Sequence, residues 1–332
     1  MILIKSPTRV DLSGGTLDMW PLYNFTKGAV TINIAIDIWT TVELTENKNS
    51  TEIEIYSFDY DKKWQFKSID DLLEAYDKTI HLYQVVVRFF KKYLNSGFNM
   101  RTKSESPIGG GLGGSSSLTI SMLKAFSEMT GYKFMDAHSM VRVAHNLEAE
   151  ILNTPTGTQD YYPAVNGGLS FLEYSSDGIE QIKFDFRNTP LETHFLLINT
   201  GKSHHSGLNN FEVLKSAVNK EASVLQALKE IKHISEEMKK ALLSQQWTEI
   251  PKLFNREYQA RIRLTPAFTS PEIEFLAKLS LENGALAVKI CGAGGGGCVL
   301  VWVAPENRQK VIQACEKEKF QCLNSKPVQL KN

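Results

Sequence analysis

Cysteine is scarce in this chain, with four among 332 residues, and all four (Cys291, Cys298, Cys315 and Cys322) sit near the C-terminal end. Their spacing matches neither C-x-x-C nor a His-containing zinc pattern, so buried free thiols in a reducing compartment are expected. Neither sign of charge is in excess: 37 Lys and Arg face 37 Asp and Glu, which removes any bulk attraction to nucleic acid or to a membrane surface. Long apolar runs are missing too. No 18-residue apolar stretch occurs, and residues 1–7 lack a basic region followed by an apolar one. Neither membrane spanning nor secretion is therefore expected, and a cytoplasmic location is. Internal repeats and low-complexity linkers are absent, and so is a Walker loop: Gly201-Lys202-Ser203 has Leu196 where a glycine is required.

What the chain does have is glycine in one place. Five of the six positions 109–114 are glycine (Gly109, Gly110, Gly111, Gly113 and Gly114, around Leu112), and Ser115, Ser116 and Ser117 follow. Leu118, Met122, Leu123, Phe126 and Met129 then recur at helical spacing up to Gly131. A glycine loop feeding a helix start aims several N–H groups and the positive end of a dipole at one spot, which suits a phosphate. A flexible surface turn is the plainer alternative, but five glycines are a large entropic cost for a turn. The G-x-G-x-x-G spacing of Gly109, Gly111 and Gly114 raises a dinucleotide fold. That fold needs a hydrophobic strand directly before the loop. Residues 99–107 alternate weakly and end in Pro107, so no such strand is expected.

The run Pro107-Ile108-Gly109-Gly110-Gly111-Leu112-Gly113-Gly114-Ser115-Ser116 resembles the ATP-binding motif P-x-G-x-G-L-G-[SG]-S-S of the GHMP kinases. Residues 6–18 look like that family's N-terminal substrate motif, and residues 289–298 like its C-terminal glycine motif. The three stand in the family's order and span the chain. The resemblance implies an α+β, two-lobed fold: a ribosomal-protein-S5-like N-terminal lobe over residues 1–180 and a ferredoxin-like C-terminal lobe over 181–332, with a soft boundary near 175–190. It implies ATP and Mg²⁺ as cofactors and a small-molecule sugar or sugar phosphate as substrate. Nucleic acid and membrane are not expected as partners, and the sequence leaves the oligomeric state open.

Carried over by position, the resemblance makes Asp160 the catalytic residue, with Arg9 beside it. The loop residues Pro107, Gly109, Gly110, Gly111, Leu112, Gly113, Gly114, Ser115 and Ser116 would hold the nucleotide. Ser115 and Glu148 would hold magnesium, Glu148 being preferred over Glu150 as the carboxylate. Gly15, Thr16, Asp18, Gly167, Gly294 and Gly295 would lie at the substrate. Read without the family, Asp160 could be an Asx-type turn residue and Asp18 a helix N-cap. Always-charged Arg9 would pair with Asp160 and offset charge developing on the transferred group. The T-x-Q-D context and the tail motif look most like the D-glycero-D-manno-heptose 7-phosphate 1-kinase branch, which phosphorylates an anomeric hydroxyl. This chain departs from that branch at Leu17, at Thr158 (usually lysine) and at His204 (usually arginine), so Lys202 or the His204-His205 pair would have to compensate. A mevalonate-type kinase and a non-catalytic sensor that binds sugar and ATP are the alternatives.

The rest of the chain reads as strands at 2–5, 8–12, 29–45, 52–58, 63–67, 170–174 and 193–199, with helices at 79–95 and 136–152. One long amphipathic helix is expected over 208–248, then helices at 249–264, 271–283 and 305–318.

Overall fold

The computed structural model describes residues 1–202, 206–292 and 294–330; Ser203, His204 and His205, and with them the expected substrate role of the histidine pair, lie outside the described residues. The N-terminal alternation forms one strand, β1 (Ile2–Ser13), where two were expected, because register shifts at Pro7/Thr8 and Asp11/Ser13 absorb the proline without ending the ladder. Then follow α1 (Leu22–Phe25), β2 (Ala29–Asn47), β3 (Ile53–Ser57), β4 (Lys62–Phe66), α2 (Ile69–Glu74), α3 (His81–Phe90), β5 (Gly97–Ser104), α4 (Gly114–Thr130), α5 (Ala137–Leu152), α6 (Tyr161–Asn166), β6 (Leu169–Ser175) and β7 (Gly178–Phe184). The second half adds α7 (Pro190–Thr193), β8 (Phe195–Asn199), α8 (Ser206–Val218), α9 (Ala222–Leu243), α10 (Ile250–Ile262), α11 (Pro271–Glu282), β9 (Ala285–Ile290), β10 (Cys298–Val303), α12 (Pro305–Lys317) and β11 (Gln321–Leu323).

The 19-residue strand β2 is the spine of a seven-stranded, mainly antiparallel sheet. β1 runs along it from Ile2↔Leu44 to Ser13↔Ile32, while β6 pairs with residues 29–34 and β5 with residues 40–47. The first half of β2 is buried throughout and the second half alternates, which follows its sequence: Val30 to Ile36 are apolar but for Thr31 and Asn33, and from position 37 the less buried positions carry Asp37, Trp39, Thr41 and Glu43. Between the stretches paired with β6 and β5, residues 326–328 return from the far end of the chain. Ile36 pairs with Pro327, the Asp37 N–H donates to Lys326 C=O (3.0 Å) and the Val328 N–H donates to Ala35 C=O (2.9 Å).

The second sheet is four-stranded and antiparallel, in the order β11-β8-β10-β9. Helices separate β8 from β9 and β10 from β11, giving the split βαβ arrangement of ferredoxin-like folds. The two-lobed α+β expectation holds. The change of sheet falls between Phe184 and Phe195, so a division at 180/181 would cut through β7, a hairpin partner of β6 that the polar 178–184 stretch does not announce.

Two expectations need correction. The 208–248 helix is broken: α8 stops at Val218 and α9 starts at Ala222, with Lys220 between them in the left-handed region (φ 61°). In addition, residues 97–104 do form a strand directly before the glycine loop, with Phe98, Met100 and Thr102 buried on its inner side. A dinucleotide fold is still excluded, since β5 pairs antiparallel with β2 in a mainly antiparallel sheet.

Candidate active site

The glycine loop is left-handed at alternate positions, with Gly109, Gly111 and Gly113 at φ 66°, 72° and 70°. Only glycine adopts such a series without strain. The loop ends at α4, whose N-cap, Gly113, offers no side-chain hydrogen bond, so the N–H groups of the first turn face the cleft. Leu112 does not line the cleft; it is buried beneath the loop as an anchor, and its carbonyl accepts the Arg9 N–H (3.0 Å). Behind it, Ser117 in α4 donates to the Ser6 and Pro7 carbonyls at 3.1 and 3.0 Å, stitching the helix start to β1.

Arg9 ties three distant motifs together. Its Nε and Nη2 both reach Asp160 Oδ1 (2.8 and 2.7 Å), and Nη1 donates to Gly111 C=O (2.6 Å) and Cys291 C=O (3.0 Å). Burial works against the guanidinium charge, but Asp160 and Asp11 more than restore it, holding Arg9 above its ordinary pKa. Asp160 stands at the N-cap position of α6 yet makes no capping bond, so the turn-residue alternative gives way. Its Oδ2 lies toward the loop: a Cβ placed on Gly113 would come within 3.2 Å of it.

Glu148 on α5 is buried and faces the same cleft, whereas Glu150 is exposed and pairs with Arg88. The Glu148 carboxylate accepts from Ser116 Oγ (2.9 Å), from the Tyr161 hydroxyl and from Ser115. Burial raises its pKa, the nearby Asp160 adds to that, and the hydroxyl donors oppose it. The Ser116 side chain is thus turned to Glu148. A hydroxyl and a carboxylate on one wall fit Mg²⁺, which takes hard oxygen donors and leaves most of its shell to waters and phosphates.

Thr16 and Asp18 are buried and line the same cleft. Asp18 caps no helix; its Oδ2 accepts the Gln159 N–H (3.1 Å), tying it to the residue before Asp160. Burial, aided by the charges of Asp160 and Asp11 and opposed by that N–H, pushes Asp18 up to about 6. The other expected substrate glycines lie elsewhere. A Cβ on Gly15 would strike Asp11 and Arg261, on Gly167 it would strike Leu330, and on Gly294 the backbone of Phe268. Gly295 is likewise outside the cleft lining, and from that turn it is Gly292 that reaches the cleft. Gly15, Gly167 and Gly294 each let another segment approach closely.

A buried charge cluster unremarked in the sequence lies behind this wall. Arg261 Nη1 is 2.6 Å from Asp11 Oδ2 and 3.6 Å from Glu257, and its Nη2 donates to Thr16 Oγ1 (3.3 Å). Lys289 donates to Asp11 C=O (2.6 Å) and lies 3.6 Å from Glu257. Burial opposes both carboxylates, yet Lys289, Arg261 and Arg9 pull Asp11 below its ordinary value, while for Glu257 burial wins and its pKa rises. No spacing rule joins β1, α10 and β9 in the sequence, so only the clustering of charged residues inside apolar runs hinted at these partners.

Arg9, Thr16, Asp18, Glu148, Asp160, Arg261 and the loop glycines line a cleft of ≈ 450 Å³ that also takes in Tyr60, Lys78, His81 and Ile108 at the other end of the loop and Asn210 from α8. A larger open groove (≈ 980 Å³) lies between the β6–β7 hairpin and α9; it alternates lysines with carboxylates and holds none of the motif residues, so the chemistry belongs to the cleft. Lys202 is not in the cleft: its amine pairs with Glu272.

A phosphate-cradling loop facing an arginine-held carboxylate, with a magnesium-compatible wall beside them, defines a small-molecule phosphotransferase site. The comparisons with known proteins agree. The models for the GHMP kinases N terminal domain and the GHMP kinases C terminal match residues 81–168 and 238–321, together just over half of the chain. The chain belongs to the GHMP kinase family. It is similar to D-glycero-alpha-D-manno-heptose 7-phosphate kinase of Campylobacter jejuni, at 28% identity over 96% of this chain and 94% of that one. It is also similar to mevalonate kinase of Methanocaldococcus jannaschii, at 23% identity over 97% and 98%. Among solved structures, a D-glycero-D-manno-heptose 1-phosphate kinase from Bacteroides thetaiotaomicron superposes with a TM-score of 0.80 at 22% identity, covering 99% of this chain and 97% of that one. Among the described residues no helix is long and apolar enough to cross a membrane.

Proposed function

We propose that this enzyme transfers the γ-phosphoryl group of ATP to a hydroxyl of a sugar, and that the preferred acceptor is the anomeric hydroxyl of D-glycero-D-manno-heptose 7-phosphate or a close relative. The observation that carries the reading is Asp160, held by two Arg9 N–H groups against the glycine loop. The similarity to the Campylobacter jejuni heptose 7-phosphate kinase over nearly the whole chain supports the choice of sugar.

In this mechanism the loop N–H groups and the start of α4 hold the ATP phosphates. Ser115 and Glu148 would hold Mg²⁺, which would offset the phosphate charge there. Asp18 and Thr16 accept and donate hydrogen bonds to sugar hydroxyls; a carboxylate can serve two hydroxyls at once. Asp160 Oδ2 orients the attacking hydroxyl and takes its proton, while Oδ1 stays in the grip of Arg9. Arg9 lies between that carboxylate and the loop carbonyl of Gly111, where it offsets charge on the group in transit.

One observation favours a neutral sugar as the second reading. The two arginines lining the cleft are already committed, Arg9 to Asp160 and Arg261 to Asp11 and Glu257. Lys202, one of the two compensating groups expected, is bound to Glu272 outside the cleft. ADP release with Mg-ATP against heptose 7-phosphate, free heptose, mannose, galactose, fucose, N-acetylated hexosamines and mevalonate separates the two. Turnover confined to heptose 7-phosphate supports the first reading, turnover of an unphosphorylated sugar the second. Turnover of mevalonate alone, or ATP binding with no turnover, rejects both.

A further inference from the structure

Asp160 rides on α6, a helix of six residues that is too short to hold its own geometry. Its far end is clamped from two sides by parts of the chain remote from the motifs. From α4, the Lys124 amine donates to the Ala164 and Val165 carbonyls at 3.0 and 3.2 Å, a cation placed at the negative end of the helix. From the other end of the chain, the Gly168 N–H donates to Val328 C=O, and Val328 in turn donates to Ala35, each at 2.9 Å. Ala35 closes the triangle by donating to Gly168 C=O, also at 2.9 Å. Leu330 and Gln329 lie over Gly167 and Gly168 so closely that a Cβ on either glycine would meet them at 2.6 and 2.4 Å.

We propose that Lys124 and the returning segment 326–330 are positioning elements for Asp160: they fix the trailing end of α6 and so set the carboxylate's approach to the acceptor hydroxyl. The segment follows directly on β11 of the four-stranded sheet, so the second lobe reaches across to hold the first lobe's carboxylate in place. Neither clamp touches the glycine loop, whose shape is kept by Arg9, Leu112 and Ser117. Loosening a clamp therefore lowers kcat without weakening ATP. The proposal rests on the assignment of Asp160 given above.

The test compares Lys124→Met, Lys124→Arg, Val328→Pro, Leu330→Ala and Asp160→Asn under steady-state conditions, with ATP affinity and melting temperature measured alongside. Val328→Pro removes the N–H that binds Ala35, and Leu330→Ala takes only the side chain over Gly167, so it carries the test if the proline variant fails to fold. Lys124→Met, Val328→Pro and Leu330→Ala are expected to lose at least about tenfold in kcat, since ångström-scale misplacement of a reacting group costs up to ~100-fold. ATP KM should stay within about twofold, and Lys124→Arg, which keeps a cation with N–H donors at the end of α6, should recover most of the rate. Wild-type kcat in Lys124→Met and Leu330→Ala, with Asp160→Asn inactive, overturns the positioning role alone. Normal turnover by Asp160→Asn overturns the assignment on which it rests.

Discussion

Asp18 is a buried carboxylate whose pKa is pushed up to about 6 mainly by desolvation, so the folded protein binds its proton more tightly than the unfolded chain does. The sign follows directly. Its contribution to stability is complete below the ordinary aspartate pKa and is lost as pH rises through about 6, a swing on the order of 3 kcal/mol. Asp18→Asn should abolish this component: denaturant titrations should find the stability of wild type minus variant falling between pH 4 and 6 and flat above pH 7. The same substitution should raise the KM for the sugar about tenfold or more, because the amide replaces one of the two acceptor oxygens by an N–H donor and removes the charge. A pH-independent stability difference would mean that Asp18 is not desolvated in the folded protein. Sequence reasoning reached Asp18 through the surrounding motif. It could not foresee the Gln159 N–H on Oδ2, which depends on how a loop 141 positions later packs.

At the scale of elements, the two glycine turns act as one part. A Cβ on Gly292 would lie 2.8 Å from Gly111 Cα, and one on Gly297 would lie 2.8 Å from the carbonyls of Gly109 and Gly110. Backbone meets backbone here, so nothing can swing aside. Gly292→Ala is expected to cost about 1–3 kcal/mol in stability and to weaken ATP about tenfold, read by chemical denaturation and calorimetric titration. Unchanged ATP affinity would show that the turn supports the loop only passively. The glycine loop and its helix were legible because composition and periodicity coincide there, from the glycines at 109–114 to Met129. Elements whose pattern is weak were not. β5 ends in lysine, serine and a nearby proline, and β7 shows a polar alternation that marks an exposed edge. The break at Lys220 lies within an uninterrupted charged helix pattern. Segment 326–328 has no periodicity to read, since a few residues of added strand gain their order from Ala35 and Gly168.

The molecule as a whole is held together at the cleft by charge as well as by apolar packing. Asp11 from the first sheet sits among Arg261 and Glu257 of α10 and Lys289 of β9, all four almost completely buried. Because burial favours the neutral form of Glu257 and the cations favour ionised Asp11, the two acidic positions should respond differently. Lys289→Met, which strips a cation from a buried carboxylate, is expected to destabilise by about 3 kcal/mol or more in urea titrations. Glu257→Gln, close in shape to the neutral acid, should cost no more than about 1 kcal/mol. Equal losses would indicate that both carboxylates carry charge. This cluster was the least legible feature of the chain, because Asp11 lies about 250 positions before its three partners and no spacing within either motif links Asp11 or Lys289 to Glu257 and Arg261.

The most direct measurement follows sugar-dependent ADP release and the phosphorus NMR spectrum of the product, side by side for wild type and Asp160→Asn. Wild type should form a sugar phosphate. The variant should keep its fold and bind ATP within about twofold of wild type, yet turn over about 10³-fold more slowly. Near-normal phosphorylation by Asp160→Asn, or ADP release that no sugar stimulates in wild type, would contradict the account.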